Sequence, residues 1–443
     1  MGFVKSRLGM MMFLQYAVWG VWLTILPGYL QGTVEDGGLG FSARDVGIIL
    51  GIAASVGALT APFISGQIAD RYFSAEKFLA FLLFTGGIVI YIMSSQTTFA
   101  MWLGLSILYS VLYMPTLTLT NSLAFSHLDD PDREFSRVRV WGTFGWIAAG
   151  WLFSWVFLMT DLEFTKLPPF LTGPDHPEGK AQIAIALKVS GILSIIYSGF
   201  CFFLPHTPAK KEVESIAWQE SLAFMKKPSV MWLFVAAILI STIHNVYFMQ
   251  AFTFLTDGVG MKVSSAGPAM TIGQVAEVFV MAILGMVILK LGIRGTLVLG
   301  GCSYILRFAI WAVIGMSDTV GDAGVVIAVL SQSLHGISFA CFYVCAFIYI
   351  DRVAPEDIRH SAQAMFGISL VGIGPMLSGP VLGILSNQFG DGEIITNFTG
   401  MWATLSCIAL VATGIVLVLF RDESNGAPGQ NIEAEAHAES ETP

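Results

Sequence analysis

Ionisable and amide side chains set inside long apolar runs are where this sequence could do chemistry, because lipid tolerates them only against a cavity or a partner. Glu277 is the sharpest case, thirteen residues from either end of an apolar run over 264–290. A carboxyl there must be protonated, paired or hydrated, and a functional role is preferred over a purely structural pair. Gln274 precedes it by one helical turn. Gln15, Trp19 and Trp22 follow at i, i+4 and i+7 on one helix face, and Arg139, Thr143 and Trp146 repeat that spacing. His244, Asn245 and Phe248 form a third set, and His335, Phe339 and Tyr343 a fourth. Such faces suit a ligand with a flat ring and several hydroxyls, since rings stack on aromatics while amides and acids satisfy donors and acceptors.

Plainer roles compete. Gln15 and Asn245 could be interhelical glue, and tryptophans often anchor helices at the bilayer interface. Arg139 could snorkel to water, Arg307 could form a structural pair, and the two histidines could be hydrogen-bonded packing groups. Cys201, Cys302, Cys341, Cys345 and Cys407 fall inside apolar runs without metal-ligand spacing, so neither a metal site nor a disulfide is expected. The sequence shows no nucleophile–base pair and no phosphate loop, so neither an enzyme nor a cofactor is expected.

The elements that position these residues are membrane spans. Of the 443 residues, 55% are hydrophobic and 12% charged, against about 25% charged in soluble domains; mean hydropathy is +0.73. Apolar runs of about 20 residues can cross a hydrocarbon core as helices. They fall at 8–30, 45–69, 77–95, 98–126, 138–159 and 183–204, then at 228–256, 264–290, 296–316, 323–350, 360–387 and 397–420. Lys5 and Arg7 before the first run resemble a signal sequence, but the run is longer than a typical signal core and reads as a span. The expectation is an all-α polytopic membrane protein with twelve transmembrane helices. Residues 1–204 would form one six-helix half, 205–227 a cytoplasmic linker, and 228–420 the second half.

Residues 421–443 hold one Arg and six acids, which supply −5 of the net charge of −9; their composition predicts a disordered acidic tail. Nothing basic suggests nucleic acid. With both termini in the cytoplasm, sixteen Lys and Arg lie inside. Arg44, Lys166, Lys180, Lys188 and Lys262 lie outside, and Arg307 falls within a helix. This bias predicts a multi-pass protein of the bacterial inner membrane with cytoplasmic termini.

Between the second and third spans, Gly66-Gln-Ile-Ala-Asp70-Arg71 resembles the major facilitator loop pattern, although Tyr72-Phe73-Ser74 replaces its later Gly-Arg. Gly66, Asp70 and Arg71 are thereby candidates for an inner gate. Further pieces are Phe13-Leu-Gln15-Tyr-Ala-Val-Trp19-Gly20-Val-Trp22-Leu-Thr24, Tyr113-Met-Pro115-Thr116-Leu, Arg139-Val-Trp141-Gly142-Thr143, Ile305-Leu-Arg307-Phe308 and Ser361-Ala-Gln363-Ala-Met365-Phe366. Through them the chain resembles the nucleoside:proton symporter family of the major facilitator superfamily, over nearly all of residues 9–420.

That resemblance implies two six-helix halves rocking around a midplane site, a nucleoside as substrate and the proton gradient as driving force. It makes Arg139, Thr143, Gln274 and Glu277 binding residues, with Gln274 and Glu277 on ribose hydroxyls or the base edge and Phe339 against the base. The chain departs from the family pattern at several positions. Asn245 and Phe248 stand where the family has a polar pair, Trp146 replaces another aromatic, and His335 replaces a tyrosine. Ala340 stands where the family has an acid, which leaves Glu277 to handle the proton.

The expected function is therefore nucleoside import by proton symport, by a monomer embedded in the bilayer. A facilitator or symporter of another polar metabolite, such as a sugar, and a non-transporting membrane sensor are the alternatives. The topology is testable by labelling: a cysteine at Gly173 should react from outside the cell and one at Lys211 only from inside. Labelling of position 211 from outside would overturn both the orientation and the division into halves.

Overall fold

The structure is a computed structural model, described here for residues 2–62, 64–65, 72–164, 171–208, 218–317, 319–355 and 358–423. The candidate inner-gate residues Gly66, Asp70 and Arg71 lie outside the described residues, as do most of the linker (209–217) and the tail from 424 onward.

An apolar run in lipid must satisfy its backbone groups internally, and a helix does so within one segment. The runs accordingly become α1 (Gly2–Gly20), α2 (Leu26–Gln31), α3 (Ala43–Pro62), α4 (Ala75–Met93), α5 (Phe99–His127), α6 (Pro131–Phe153) and α7 (Ile183–Cys201). A short α8 (Trp218–Met225) leads into α9 (Pro228–Thr253), α10 (Val263–Met270) and α11 (Ile272–Ile314). Then come α12 (Asp322–Leu330), α13 (Ser333–Ser338), α14 (Cys345–Val353), α15 (Arg359–Gly367), α16 (Gly374–Phe389) and α17 (Phe398–Val418). A two-stranded hairpin, β1 (Glu163–Phe164) with β2 (Leu171–Thr172), lies in the connection between α6 and α7.

Two interruptions shape the spans, the first a departure from the expected run over 8–30 and the second falling between the expected runs 264–290 and 296–316. Pro27 near the start of α2 cannot donate to residue 23 and its ring crowds that carbonyl, so the first span breaks between Gly20 and Leu26. Gly292 adopts φ 68° and ψ 172°, which divides α11 into two helices at a backbone conformation that glycine alone takes up readily. Ten helical stretches among the described residues are long and apolar enough to cross a membrane. With the break at Gly292 and the first helix included, the arrangement is consistent with twelve spans. The helix of the fifth expected span, α6, begins at Pro131 rather than near residue 138, so Arg139 stands two turns inside it rather than at its end.

In the first half α1 packs on α6 and α7, while α4 packs on α5 and α7; in the second, α9 packs on α16 and α17. The halves meet where α3 runs against α16. Small residues make that approach possible: a Cβ on Gly47 would lie 2.6 Å from the Gly379 Cα. One and two turns along, Gly51 abuts the Pro375 carbonyl, and Ser55 Oγ donates to the Gly372 carbonyl at 2.7 Å. Close backbone contact of this kind is how helices gain dispersion energy in a solvent as apolar as themselves.

Further bonds between the halves lie on the side away from the N-terminus of α1. Asp175 accepts from the backbone N–H groups of Val263 (2.9 Å) and Ser264 (3.1 Å), completing the open end of α10. Lys180 pairs with Asp257 at 3.3 Å, Lys262 Nζ donates to the Gly173 carbonyl at 2.9 Å, and Gln250 Nε2 donates to Gln31 Oε1 at 3.0 Å. On the opposite side, the named pairs do not join the two halves: Lys5 pairs with Glu134 (2.6 Å) within the first, and Glu76 with His206 (2.7 Å) at the start of the linker.

The glycine seam should tolerate no bulk. Gly47→Leu is expected to lower stability by about 1–3 kcal/mol through overpacking, read as a lower thermal midpoint in detergent. A midpoint equal to that of the parent would mean the seam is looser than its geometry.

Candidate functional site

The site is built from α1 and α6 of the first half facing α9, α11 and the segment from 333 to 344 of the second. On α6, Arg139, Thr143 and Trp146 share one face, and all three are half-buried in mid-span. The Arg139 guanidinium carbon lies 4.0 Å above the centre of the Tyr16 ring, a cation–π contact worth up to about 2 kcal/mol when desolvated. Gly142 makes this possible, since a Cβ there would lie 2.5 Å from the Tyr16 ring. Trp146 meets Trp19 edge-on with centroids 5.6 Å apart, and Trp19 also contacts Tyr113 at 5.7 Å. The indole Nε1 of Trp146 is enclosed without a partner.

Two residues of the expected first-helix face turn away from this group. Trp22 is buried and packs edge-on against Tyr109 at 6.0 Å. Gln15 is fully buried; its Nε2 donates to Thr116 Oγ1 at 2.7 Å, and its backbone carbonyl accepts from the Tyr113 hydroxyl at 2.5 Å. It braces α1 against α5, yet its Oε1 has no partner. Spacing alone had placed Gln15, Trp19 and Trp22 together. The real face is Tyr16 and Trp19: the i, i+4 and i+7 positions do share a narrow arc of about 60°, but Thr116 and Tyr109 take up Gln15 and Trp22 and turn that arc toward α5.

Across the site, Gln274 and Glu277 are half-buried on α11, with Gln274 Oε1 unpartnered. Gly336 presses this helix against α13: a Cβ there would lie 2.3 Å from the Glu277 backbone N. The Glu277 carboxyl, on the second half, is within electrostatic reach of Arg139 and of Tyr16 on the first. Tyr16 was not among the expected site residues. Its position one residue after Gln15 and three before Trp19 was the available signal.

Asn245 and Phe248 are half-buried on α9, where Asn245 Nδ2 donates to the Ser241 carbonyl at 2.8 Å. Phe339 opens a wide π-helical turn, Phe339–Val344, and stacks on Tyr343 at 5.3 Å; such turns often mark functional positions. Ala340 lies buried within it, and no acidic side chain sits on that turn. His335 is buried behind these rings and receives a hydrogen bond from Arg307. The structure leaves Trp19, Arg139, Thr143, Trp146, Asn245, Phe248, Gln274, Glu277 and Phe339 half-buried, on helices of both halves. Gln15, Trp22 and His335 lie in the packed layer behind them.

The model of the family described as nucleoside H+ symporter matches residues 1–425. The chain belongs to the nucleoside H+ symporter family. It is 32% identical to the protein named "Putative nucleoside transporter YegT" of Escherichia coli, over 95% of this chain and 94% of that one. It is 27% identical to the nucleoside permease NupG of the same organism, over 94% and 96% respectively. A crystal structure of NupG superposes with a TM-score of 0.79 at 25% identity, covering 94% of this chain and 99% of that one. This symporter is therefore a membrane transporter of the major facilitator type and not an enzyme.

The aromatic wall supplies the next prediction. Base–aromatic stacking is worth about 1–3 kcal/mol by alanine substitution, and about 1.4 kcal/mol is a factor of ten. Trp146→Ala should weaken nucleoside binding by about ten- to a hundredfold in a titration with purified protein. Unchanged affinity in a folded variant would make Trp146 a packing residue.

Proposed function

We infer that this chain imports a nucleoside together with a proton across the bacterial inner membrane by alternating access, with residues 1–204 and 228–420 as the moving halves. The reading is carried by one observation: polar atoms without partners, Trp146 Nε1 and Gln274 Oε1, belong to facing helices that also present aromatic rings. A donor on one side and an acceptor on the other, between ring faces, match the edges and faces of a base and the hydroxyls of ribose. Asp175, Lys180 and Lys262 bind the halves together on the side away from the N-terminus, which we assign to the cell exterior, with the termini in the cytoplasm. The protein acts as a monomer, and its only driving force is the proton gradient.

Coupling follows from Glu277. Ionised, the carboxyl is attracted to Arg139 on the opposite half; protonated, it loses that attraction and can donate a hydrogen bond to the substrate. A proton thus changes both the affinity of the site and the force between the halves. Substrate and proton bound together let the halves separate on one side and close on the other.

Glu277→Gln keeps the shape and removes the titration. Concentrative uptake of radiolabelled uridine into cells should be abolished, while exchange down a gradient persists because the amide still holds the ligand. Accumulation against a gradient by Glu277→Gln would remove Glu277 as the coupling group. Wild-type uptake that ignores a protonophore would replace symport with facilitated diffusion.

A further inference from the structure

Behind the site lies a cluster that the transport reaction, as derived above, does not use. Arg307 is wholly buried in the second segment of α11, and no ion pair reaches it among the described residues. Three ring faces meet its charge instead, with the guanidinium carbon 4.0 Å from the centre of Tyr247, 4.9 Å from Phe308 and 5.3 Å from Tyr304. Its Nη1 lies 2.9 Å from His335 Nδ1, while Nε and Nη2 have no partner.

A guanidinium can only donate. His335 Nδ1 must therefore be a bare lone pair, and the proton of the neutral ring sits on Nε2. Protonating His335 would set N–H against N–H and bring a second positive charge to within 2.9 Å of the first, inside a sealed pocket. The His335 ring stacks in turn on His244, with centroids 5.2 Å apart and planes 21° apart. His244 Nδ1 shares a 2.6 Å hydrogen bond with the Tyr304 hydroxyl.

The other titratable groups facing this pair come from each neighbouring element. They are Tyr247 on α9, Tyr304 on the second segment of α11, Tyr343 on the π-helical turn and Glu277 across Gly336. Tyrosines are neutral in the range where histidine titrates. Only Glu277 could offer the histidines a negative charge, and it faces Arg139.

We propose that Arg307 is a charge lock: its hydrogen bond to His335 Nδ1, inside the cage of Tyr247, Tyr304 and Phe308, holds His335 and the stacked His244 neutral throughout the transport cycle. Arg307 is a positioning residue, acting on the proton route without touching substrate. A histidine pair beside a transport site would otherwise be a second store for protons. With it locked, one proton site, Glu277, serves one substrate site, and a proton leak through the two histidines has no carrier. The inference rests on the proton-symport reading above and adds to it which groups do not titrate.

The test is the 15N spectrum of the histidine-labelled full-length chain in lipid nanodiscs, with signals assigned by His244→Asn and His335→Asn. Wild-type His335 should show the Nε2–H tautomer, and both rings should stay neutral between about pH 5 and 8. In Arg307→Gln an imidazolium signal should appear in that window. The pH profile of uridine binding should gain an inflection, and addition of His335→Asn should remove it. An imidazolium at either residue in the wild type overturns the lock, as does an Arg307→Gln protein in which both rings remain neutral. If Arg307→Gln does not fold, the wild-type spectrum decides alone. Protonophore-insensitive uptake would sink the symport reading while leaving the tautomer result untouched, so the two failures are distinct.

Discussion

Three charged side chains, Arg139, Glu277 and Arg307, lie deep in the spans, and hydrocarbon offers none of them a resting place. The fold answers each differently. Arg307 is sealed among aromatic rings and a histidine, with no surface left to water. Arg139 and Glu277 are left half-buried, on opposite halves, with Tyr16 beside the arginine. The first solution is static, because moving any ring of the cage would expose a bare cation. The second can change, because a proton on Glu277 alters the attraction that spans the halves. Sealing one charge and leaving a pair open separates a structural site from a working one within a single helical core.

The seam between the halves obeys the same physics from the apolar side. Lipid tails are as apolar as leucine, so the hydrophobic effect does little to hold helices together, and close packing must do it. Gly47, Gly51 and Ser55 against Gly372, Pro375 and Gly379 supply that packing with backbone atoms. Contacts of this kind are flat and carry few interlocking side chains, so one half can tilt on the other without breaking them. Apart from the Ser55–Gly372 hydrogen bond, the specific bonds named between the halves are placed off the seam, among them those of Asp175, Lys180 and Lys262. These are exchangeable with water once the halves part, which suits a closure that must be remade in each cycle.

Much of this was legible in the sequence, and the reasons for the rest are physical. Span positions were recovered within a few residues because apolar run length is set directly by bilayer thickness. The break at Pro27 and the early start of α6 at Pro131 were missed, since backbone hydrogen bonding rather than hydropathy fixes them. Helical spacing put Gln15, Trp19 and Trp22 on one face, yet only Trp19 is half-exposed, and Trp22 went to Tyr109. Periodicity gives a face its width but not its direction; direction comes from neighbours such as Thr116 and Tyr109, distant in the chain. Ala340 was readable as a position that cannot ionise, and it lies buried on a turn that carries no acidic side chain. Tyr304, one turn before Arg307, was a legible neighbour, but the closest ring of the cage, Tyr247, comes from α9, which no spacing rule connects to it.

The absence of an acid at 340 and the cage around Arg307 have a common consequence. Adding a carboxylate near a buried guanidinium would create an ion pair whose strength changes with protonation, and hence a second coupled titration within the same half. Rings give no such response: their quadrupoles are fixed, and a cation–π contact is the same at every accessible pH. The cage of Tyr247, Tyr304 and Phe308 is therefore a part of the second half that does not respond to pH, unlike a carboxylate partner. Proton sensitivity is then concentrated between the halves, where it can act on their separation, rather than within one of them, where it could only loosen the packing.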